Sequence, residues 1–269
     1  MYWKDVWRFL NSNEIEIKYP GKYGAKGEKR AKRKKATPEQ IKKQNQTNRE
    51  KKLRRLIKAN FVPYDLWCTL KYPKGVRPPI EQVRKDISNF LDRMRYRRKK
   101  KGEPLKYIYR LEIGKRGGIH IHFLVNRSEK KPDTDIEIKQ AWKHGGVYWT
   151  TIYESGGYSD LAAYIVKEPE EDGQISLFPE EEQKKLRSYT PSRNLVHPEP
   201  ERTVYRRRTV KKMLEEGPEP TDGYYIDKNT LVSGVNRYTG MSYLRYTEVR
   251  INEIQSGVPP ERGEEWNSE

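Results

Sequence analysis

His120 and His122 flank a single isoleucine in the apolar run IHIHFLVN, residues 119–126. Successive side chains of a strand point to opposite faces. A strand here therefore puts both imidazoles on one face and Ile119, Ile121 and Phe123 on the other. The run KYIYRLEI (106–113) precedes it, and GKRGG (114–118) joins the two. Two such runs around a short glycine-rich link read as a β-hairpin. If Ile113 and Ile119 close the turn, Glu112 faces His120 and Arg110 faces His122, at cross-strand Cβ separations of about 4.5–5.5 Å. Glu112, His120 and His122 then converge on one face with Arg110 at its margin, while Tyr109, Leu111 and Ile113 back it with apolar surface. Two imidazoles and a carboxylate with coordination positions left open suit a catalytic divalent cation. An arbitrary His-x-His is more often two half-exposed strand histidines; the facing carboxylate and the apolar backing distinguish this one.

The second chemical feature is a tyrosine. Residues 159–168 (SDLAAYIVKE) read as a helix with Ser159 or Asp160 as N-cap and Pro169 as its stop. Leu161 and Ile165 can bury together, and Tyr164 and Lys167, at i and i+3, share another face. Most helix tyrosines only pack. With an ordinary pKa of about 10, a phenol becomes a nucleophile when a cation lowers that pKa or a metal polarises its target. Lys167 supplies a cation one turn away. Tyr158 lies six residues before Tyr164 and falls on another side or ahead of the helix, so one tyrosine is available. His144 reads as a helix C-terminal cap, and His197, before Pro198, as exposed.

Other elements must position these groups. Residues 65–72 (DLWCTLKY) form an apolar and aromatic run between Pro63 and Pro73, read as a buried strand carrying Cys68. Trp67 and Trp149 are expected in the core. Residues 79–101 carry Ile80, Val83, Ile87, Phe90, Leu91 and Met94 at helical spacing, stopped by Gly102. Residues 39–59 form a basic helix opened by Pro38 with Thr37 as N-cap. A short helix over 135–144, a strand over 145–153, a basic helix over 203–216 and late strands over 224–227 and 234–251, with a turn near 238–240, complete the reading.

Composition bounds the partners. The 269 residues carry a net charge of +18, with 33% hydrophobic and 35% charged residues, and 6 Trp, 19 Tyr and 5 Phe. Residues 1–60 have 19 basic and 6 acidic side chains, residues 61–168 have 22 and 13, and residues 169–269 have 15 and 19. A folded, aromatic-rich chain with a basic front points to a nucleic-acid binder. No apolar run approaches the roughly 18–20 residues of a membrane span. Residues 1–10 lack the apolar core and cleavage site of a secretory signal. The single cysteine excludes an intramolecular disulfide, argues against a structural zinc cluster and suits a reducing cytosol. There is no phosphate-binding G-x-x-x-x-G-K-[ST] loop, hence no encoded helicase motor.

Taken in order, these motifs resemble those of HUH endonucleases of the rolling-circle replication initiator (Rep) type from bacterial plasmids and phages. The first is the strand signature Trp67-Cys68-Thr69-Leu70-Lys71-Tyr72, with Lys71 where the family often has threonine. The second is His120-Ile121-His122 with Glu112 upstream. The third is Tyr164-Ile165-Val166-Lys167, and Ser192-Arg193-Asn194-Leu195 looks like a segment that follows it in such proteins. The resemblance covers roughly residues 45–250. It implies an α+β HUH fold, a central antiparallel sheet of about five strands, ferredoxin-like, with helices on one face. The corresponding organisation is a basic flexible arm (1–38), a Rep domain (39–254) containing an acidic loop (169–183), and a frayed tail (255–269).

The resemblance further implies Mg²⁺ or Mn²⁺ held by Glu112, His120 and His122, and Tyr164 as nucleophile with Lys167 assisting. The reaction implied is nicking and rejoining of single-stranded DNA at a replication origin, presented in a hairpin, through a 5′-phosphotyrosine, to initiate rolling-circle replication. A host helicase and DNA polymerase would be partners, in the bacterial cytoplasm and away from membranes. Arg110, Lys115, Arg116, Lys51, Lys52, Arg54 and Arg55 are the candidate DNA contacts. A conjugative relaxase or a one-tyrosine transposase would use the same chemistry, although relaxases usually place the tyrosine before the histidines and these transposases are usually shorter. A non-catalytic DNA-binding replication or copy-number regulator would need the basic arm but not the five site residues together. Hydrolysis by a metal-bound water would leave Tyr164 unexplained.

Overall fold

A computed structural model describes residues 1–20, 37–114, 118–153, 155–167, 189–236 and 240–251. In chain order the elements are β1 (Tyr2–Arg8), β2 (Ser12–Lys18), α1 (Pro38–Asn60), β3 (Leu66–Lys71), α2 (Ile80–Lys101), β4 (Tyr107–Ile113), β5 (Ile119–Val125) and α3 (Thr134–Ala141). They continue with β6 (Val147–Thr151), α4 (Ser159–Val166), β7 (Thr190–Pro191), β8 (Glu201–Tyr205), α5 (Arg207–Glu216), β9 (Tyr224–Val235) and β10 (Ser242–Arg250). The chain divides into two compact units, one of Met1–Lys34 with Pro200–Glu269 and one of Lys35–Glu199. Both are α+β, and each is built on a five-stranded antiparallel sheet.

In the unit of Lys35–Glu199 the strand order is β6-β3-β5-β4-β7. Alternation along β3 sorts its side chains: Leu66, Cys68 and Leu70 are fully buried, while Trp67, Thr69 and Lys71 point to the other face. The first face receives Ile80, Val83, Ile87, Phe90, Leu91 and Met94 of α2 together with Ile138 and Ala141 of α3. Phe90 meets Phe123 edge-on at 5.2 Å between ring centres, the geometry aromatic pairs prefer. On the second face Leu53, Leu56 and Ile57 of α1 and Ala162, Ile165 and Val166 of α4 pack over Ile108 and Leu124. The expected five-stranded sheet is thus present, but helices cover both its faces rather than one. The apolar stripes of four helices in this unit exceed what one face of a five-stranded sheet can bury.

Local signals set the helix ends. Thr37 and Gln40 form a reciprocal capping box at the start of α1, with Gln40 N–H donating to Thr37 Oγ1 at 3.3 Å and Thr37 N–H to Gln40 Oε1 at 3.1 Å. Gly102, at φ 69°, closes α2 in the left-handed conformation. Buried Arg98 ties that end to α3, donating to Glu137 at 2.9 Å, Thr134 Oγ1 at 2.9 Å and the Asn126 carbonyl at 2.8 Å.

The other unit orders its strands β8-β1-β2-β10-β9. Ile15, Ile17, Leu244 and Tyr246 bury against Val210 of α5. Residues 1–38 are therefore not simply an arm: β1 and β2 pair from Trp3↔Lys18 to Arg8↔Asn13 as the centre of a sheet. Their alternation (Val6, Ile15, Ile17 inward) is short and interrupted by charge, which hid it in composition. The expected domain 39–254 divides likewise, its late strands joining β1 and β2. The helix expected over 203–216 begins at Arg207, because Glu201–Tyr205 pairs with β1. β9 runs unbroken where two separate strands were expected. The short helix after Asp133 stops at Ala141, so His144 lies beyond it and faces Asp86, Nε2 to Oδ1 at 3.4 Å, instead of capping a helix. Residues 21–36 of the arm, the acidic loop 169–183, turn residues 238 and 239, the tail 255–269, and Lys115 and Arg116 lie outside the described residues. No described helix is long and apolar enough to cross a membrane.

Candidate active site

The hairpin has the register its residues imply: Glu112 pairs with His120, Arg110 with His122 and Ile113 with Ile119. β3 lies on the other side of β5, with Thr69 opposite His122 and Lys71 opposite His120. Six side chains, Thr69, Lys71, Arg110, Glu112, His120 and His122, thus occupy one face of three adjacent central strands.

α4 brings the tyrosine to this face. Gly157 and Tyr158, both at φ 60°, turn the chain into the helix. At Gly157 a Cβ would sit 2.9 Å from Lys58 Nζ, so the close approach to α1 requires glycine. Ala162, Ile165 and Val166 anchor α4 in the core, and Gln46 of α1 donates to the Val166 carbonyl at 3.3 Å. Arg110, only 4% exposed, donates to the Tyr164 carbonyl, and its guanidinium lies 5.5 Å from the Tyr164 ring centre. A cation at the C-terminal end of a helix is also favoured by the helix dipole.

The outcome is a compact polar cluster. The Tyr164 hydroxyl donates to Glu112 Oε2 at 2.7 Å and lies 2.9 Å from His122 Nε2. His122 Nε2 and Glu112 Oε2 are 3.1 Å apart. The other ring nitrogen, Nδ1, is 3.2 Å from Thr69 Oγ1. Trp67 stacks on the His122 ring, 5.5 Å between centres and 6° between planes, and meets Tyr164 edge-on. His122 is therefore held on both nitrogens and one face. A hydroxyl can donate or accept, so Thr69 suits either tautomer of the imidazole. Tyr164 keeps 37% exposure, so its hydroxyl cluster stays open to a substrate.

Electrostatics follow from these contacts. The hydrogen bond with His122, then that from Tyr164, with the charges of His122 and Arg110, hold the Glu112 carboxyl down at about 2 against the opposing effect of burial. Burial lowers the pKa of His120, and the positive charges of Lys71 and His122 add to that. His120 is thereby biased toward the neutral imidazole that binds metals. Cys68, buried on the opposite face, has its thiol pushed far up by desolvation and takes no part.

The donor set fits a hard divalent cation by type and, for two of three members, by spacing. Cis ligands at about 2.1 Å from an octahedral ion stand about 3 Å apart, close to the 3.1 Å between Glu112 and His122. His120 shares their face, its ring centre 6.2 Å from that of His122, but stands apart from the hydrogen-bonded set. Among the described residues no three such side chains are gathered into a ready cage for a metal ion.

Of the expected site residues, the fold unites Glu112, His122 and Tyr164 and places His120 beside them. Lys167 is the C-cap residue of α4, its N–H 3.4 Å from the Tyr164 carbonyl. Arg110 was expected to contact DNA; it is buried and positions the tyrosine helix instead. Lys51, Lys52, Arg54 and Arg55 lie on α1, with Lys52 exposed and the others half-buried. Thr69 and Trp67 were missed as site residues, since their strand was read only as core. The signal was present: along 66–71, aliphatic residues and Cys68 alternate with Trp67, Thr69 and Lys71.

Residues 65–169 match the family model for the replication-associated protein ORF2. The matched segment runs from the start of β3 past Lys167 and contains the whole cluster. Over it the chain is similar to replication-associated proteins, consistent with a replication initiator. No curated protein and no solved structure matches the chain.

Proposed function

We propose that this chain nicks and rejoins single-stranded DNA at a replication origin, with Tyr164 as nucleophile, to initiate rolling-circle replication. The observation that carries this reading is the Tyr164 hydroxyl lying 2.7 Å from Glu112 and 2.9 Å from His122. A phenol tethered between a carboxylate and an imidazole, on an open face of a replication-family segment, is placed for attack on phosphorus. In the step, the Tyr164 oxygen bonds to phosphorus as the bond from phosphorus to the 3′ oxygen breaks. The product is a 5′-phosphotyrosine and a free 3′-hydroxyl. The phenolic proton leaves toward the cluster and is returned, through water, to the departing 3′ oxygen, so no net proton is consumed.

Glu112, with its carboxyl held at about 2, orients the phenol but is a weak base; His122 Nε2 is the better acceptor. Thr69 and Trp67 fix the His122 ring, and Arg110 fixes the helix end that carries Tyr164. Glu112, His120 and His122 would hold Mg²⁺ or Mn²⁺, whose charge polarises the scissile phosphate. Lys167 adds positive charge near that phosphate. The exchange of one phosphoester for another keeps the reaction reversible, so a later 3′-hydroxyl can rejoin the strand. The free 3′-hydroxyl primes a polymerase, and strand separation falls to a separate helicase.

The test is a covalent band on a denaturing gel, using purified protein, a labelled single-stranded DNA pool containing hairpins, and Mn²⁺. The expected result is a metal-dependent adduct, lost in Tyr164→Phe. Adduct formation that survives Tyr164→Phe overturns the nucleophile.

A further inference from the structure

The segment Ser192–Leu195 is not used by the tyrosine chemistry. Ser192 exchanges hydrogen bonds with Tyr107, its N–H donating to the Tyr107 carbonyl at 2.8 Å and its Oγ accepting from the Tyr107 N–H at 3.1 Å. Asn194 donates to the Leu105 carbonyl at 3.1 Å, and Leu195 is buried in the core under α1. Three of the four residues thus anchor the chain along the β4 edge. The fourth, Arg193, is left exposed, and among the described residues its side chain has no hydrogen-bond or ion-pair partner.

Arg193 lines a groove of about 1150 Å³ between α2 and the edge made by β4 and β7. From α2 the groove takes Arg84, Arg95 and Lys99, and from β4 Tyr107 and Tyr109. Arg84 and Lys99 likewise have no ion-pair partner among the described residues. Arg95 donates to Tyr107 Oη at 2.9 Å and to Asp92. The one carboxylate lining the groove, Glu103, is already engaged by Arg98 and by the Ser128 hydroxyl. An open groove with three cations lacking counter-charge is an anion footprint. Guanidinium groups match phosphate in particular. Arg84 and Lys99 stand fifteen positions apart on α2, about 22 Å at 1.5 Å per residue. That length spans several phosphates of a nucleic-acid backbone and far exceeds one small anion.

Position supports the same occupant. Tyr107 and Tyr109 point to the α2 face of β4, whereas Arg110 and Glu112 point to the face of Tyr164. The groove and the tyrosine cluster therefore lie on opposite faces of one sheet. Only the two-residue β7 stands outside β4 at that edge.

We infer that this groove seats the phosphodiester backbone of the DNA substrate outside the nicked region, as a second contact beyond the β7 edge. The inference rests on the DNA-nicking reading and extends it to how a long substrate is held.

The test compares Lys99→Glu/Arg193→Glu with the charge-matched control Lys85→Glu/Lys100→Glu, whose residues are exposed on α2 but outside the groove. All four side chains are exposed, so folding is retained, and thermal melts verify it. Anisotropy across a salt series measures binding to a long single strand and to one trimmed to the nicked region, and adduct formation on the trimmed strand is read in parallel. The groove variant is expected to lower the slope of log affinity against log salt for the long strand by about 1.4, at 0.7 per lost contact. Relative to the value at 1 M salt, that is a loss of about 25-fold at 0.1 M. Binding and adduct formation on the trimmed strand stay unchanged. An unchanged slope, an equal fall in the control variant, or polyglutamate competing as well as DNA each overturns the proposal. Absence of any adduct with the unaltered protein refutes the nicking reading instead, and the slope comparison still decides the groove.

Discussion

Replacing Glu112 by glutamine isolates the charge of the cluster while keeping its shape and an oxygen that can accept from Tyr164. In the folded protein the Glu112 carboxyl is held at about 2, below its ordinary 4.5, by hydrogen bonds from His122 and Tyr164 and by nearby positive charge. A carboxylate whose folded pKa is depressed stabilises the fold above its unfolded pKa. That stabilisation is lost as pH falls through the folded value. At 1.36 kcal/mol per unit the gap corresponds to about 3 kcal/mol, and screening at a partly open site reduces this to about 2–3 kcal/mol. At ~2–4 °C per kcal/mol for a unit of this size, Glu112→Gln should melt about 4–12 °C below the unaltered protein at pH 7. The difference should hold down to about pH 5 and close progressively as pH falls toward about 2. Other carboxylates titrate alike in both proteins, so the difference reports Glu112 alone. The assay is thermal unfolding of both proteins in EDTA, followed by circular dichroism from about pH 7 to about pH 2.5. A gap that stays constant over that range, or widens on acidification, refutes the coupling of Glu112 to His122 and Tyr164.

Three further outcomes follow from the same contacts. Thr69→Val removes the hydroxyl from His122 Nδ1, costing about 0.5–1.5 kcal/mol. The rate of adduct formation should fall about 2–12-fold, with Thr69→Ser restoring most of it. Tyr164→Phe deprives an ionised carboxylate of a hydrogen bond, so its melting temperature in EDTA should fall by the equivalent of about 1–3 kcal/mol, in addition to loss of the adduct. Arg98→Met strands the fully buried Glu137 carboxylate and should cost about 3–5 kcal/mol in thermal or denaturant unfolding, whereas Arg98→Met with Glu137→Leu should recover much of that loss.

The hairpin was legible because its chemistry and its geometry are local. A five-residue link and period-two alternation fix which residues face each other, and Glu112, His120 and His122 needed no information from elsewhere in the chain. The tyrosine helix was legible as an element, from its apolar residues and Pro169, but its docking was not. That Tyr164 lands between Glu112 and His122 depends on α1 and α4 packing over Ile108 and Leu124, a contact between elements about a hundred positions apart in sequence. The unit formed by β1, β2 and β8–β10 was hidden for the same reason. Its strands come from the two ends of the chain, and β1 and β2 carry enough charge to read as a basic arm.

The two arginines of β4 and of the Ser192–Leu195 segment show where composition misleads. Arg110 and Arg193 both belong to a strongly basic chain, and charge alone assigns both to DNA. Strand parity and burial separate them. Arg110 shares the His122 register, is enclosed by α4, and directs its charge to the end of the helix that carries Tyr164. Arg193 stands on a segment whose neighbours are consumed in backbone anchoring, so its guanidinium stays outside. A cation's role thus follows from which carbonyls and carboxylates reach it first. On that criterion the residues left to meet a polyanion are Arg84, Lys99 and Arg193, which charge patterning alone did not single out, rather than the arginine beside His122.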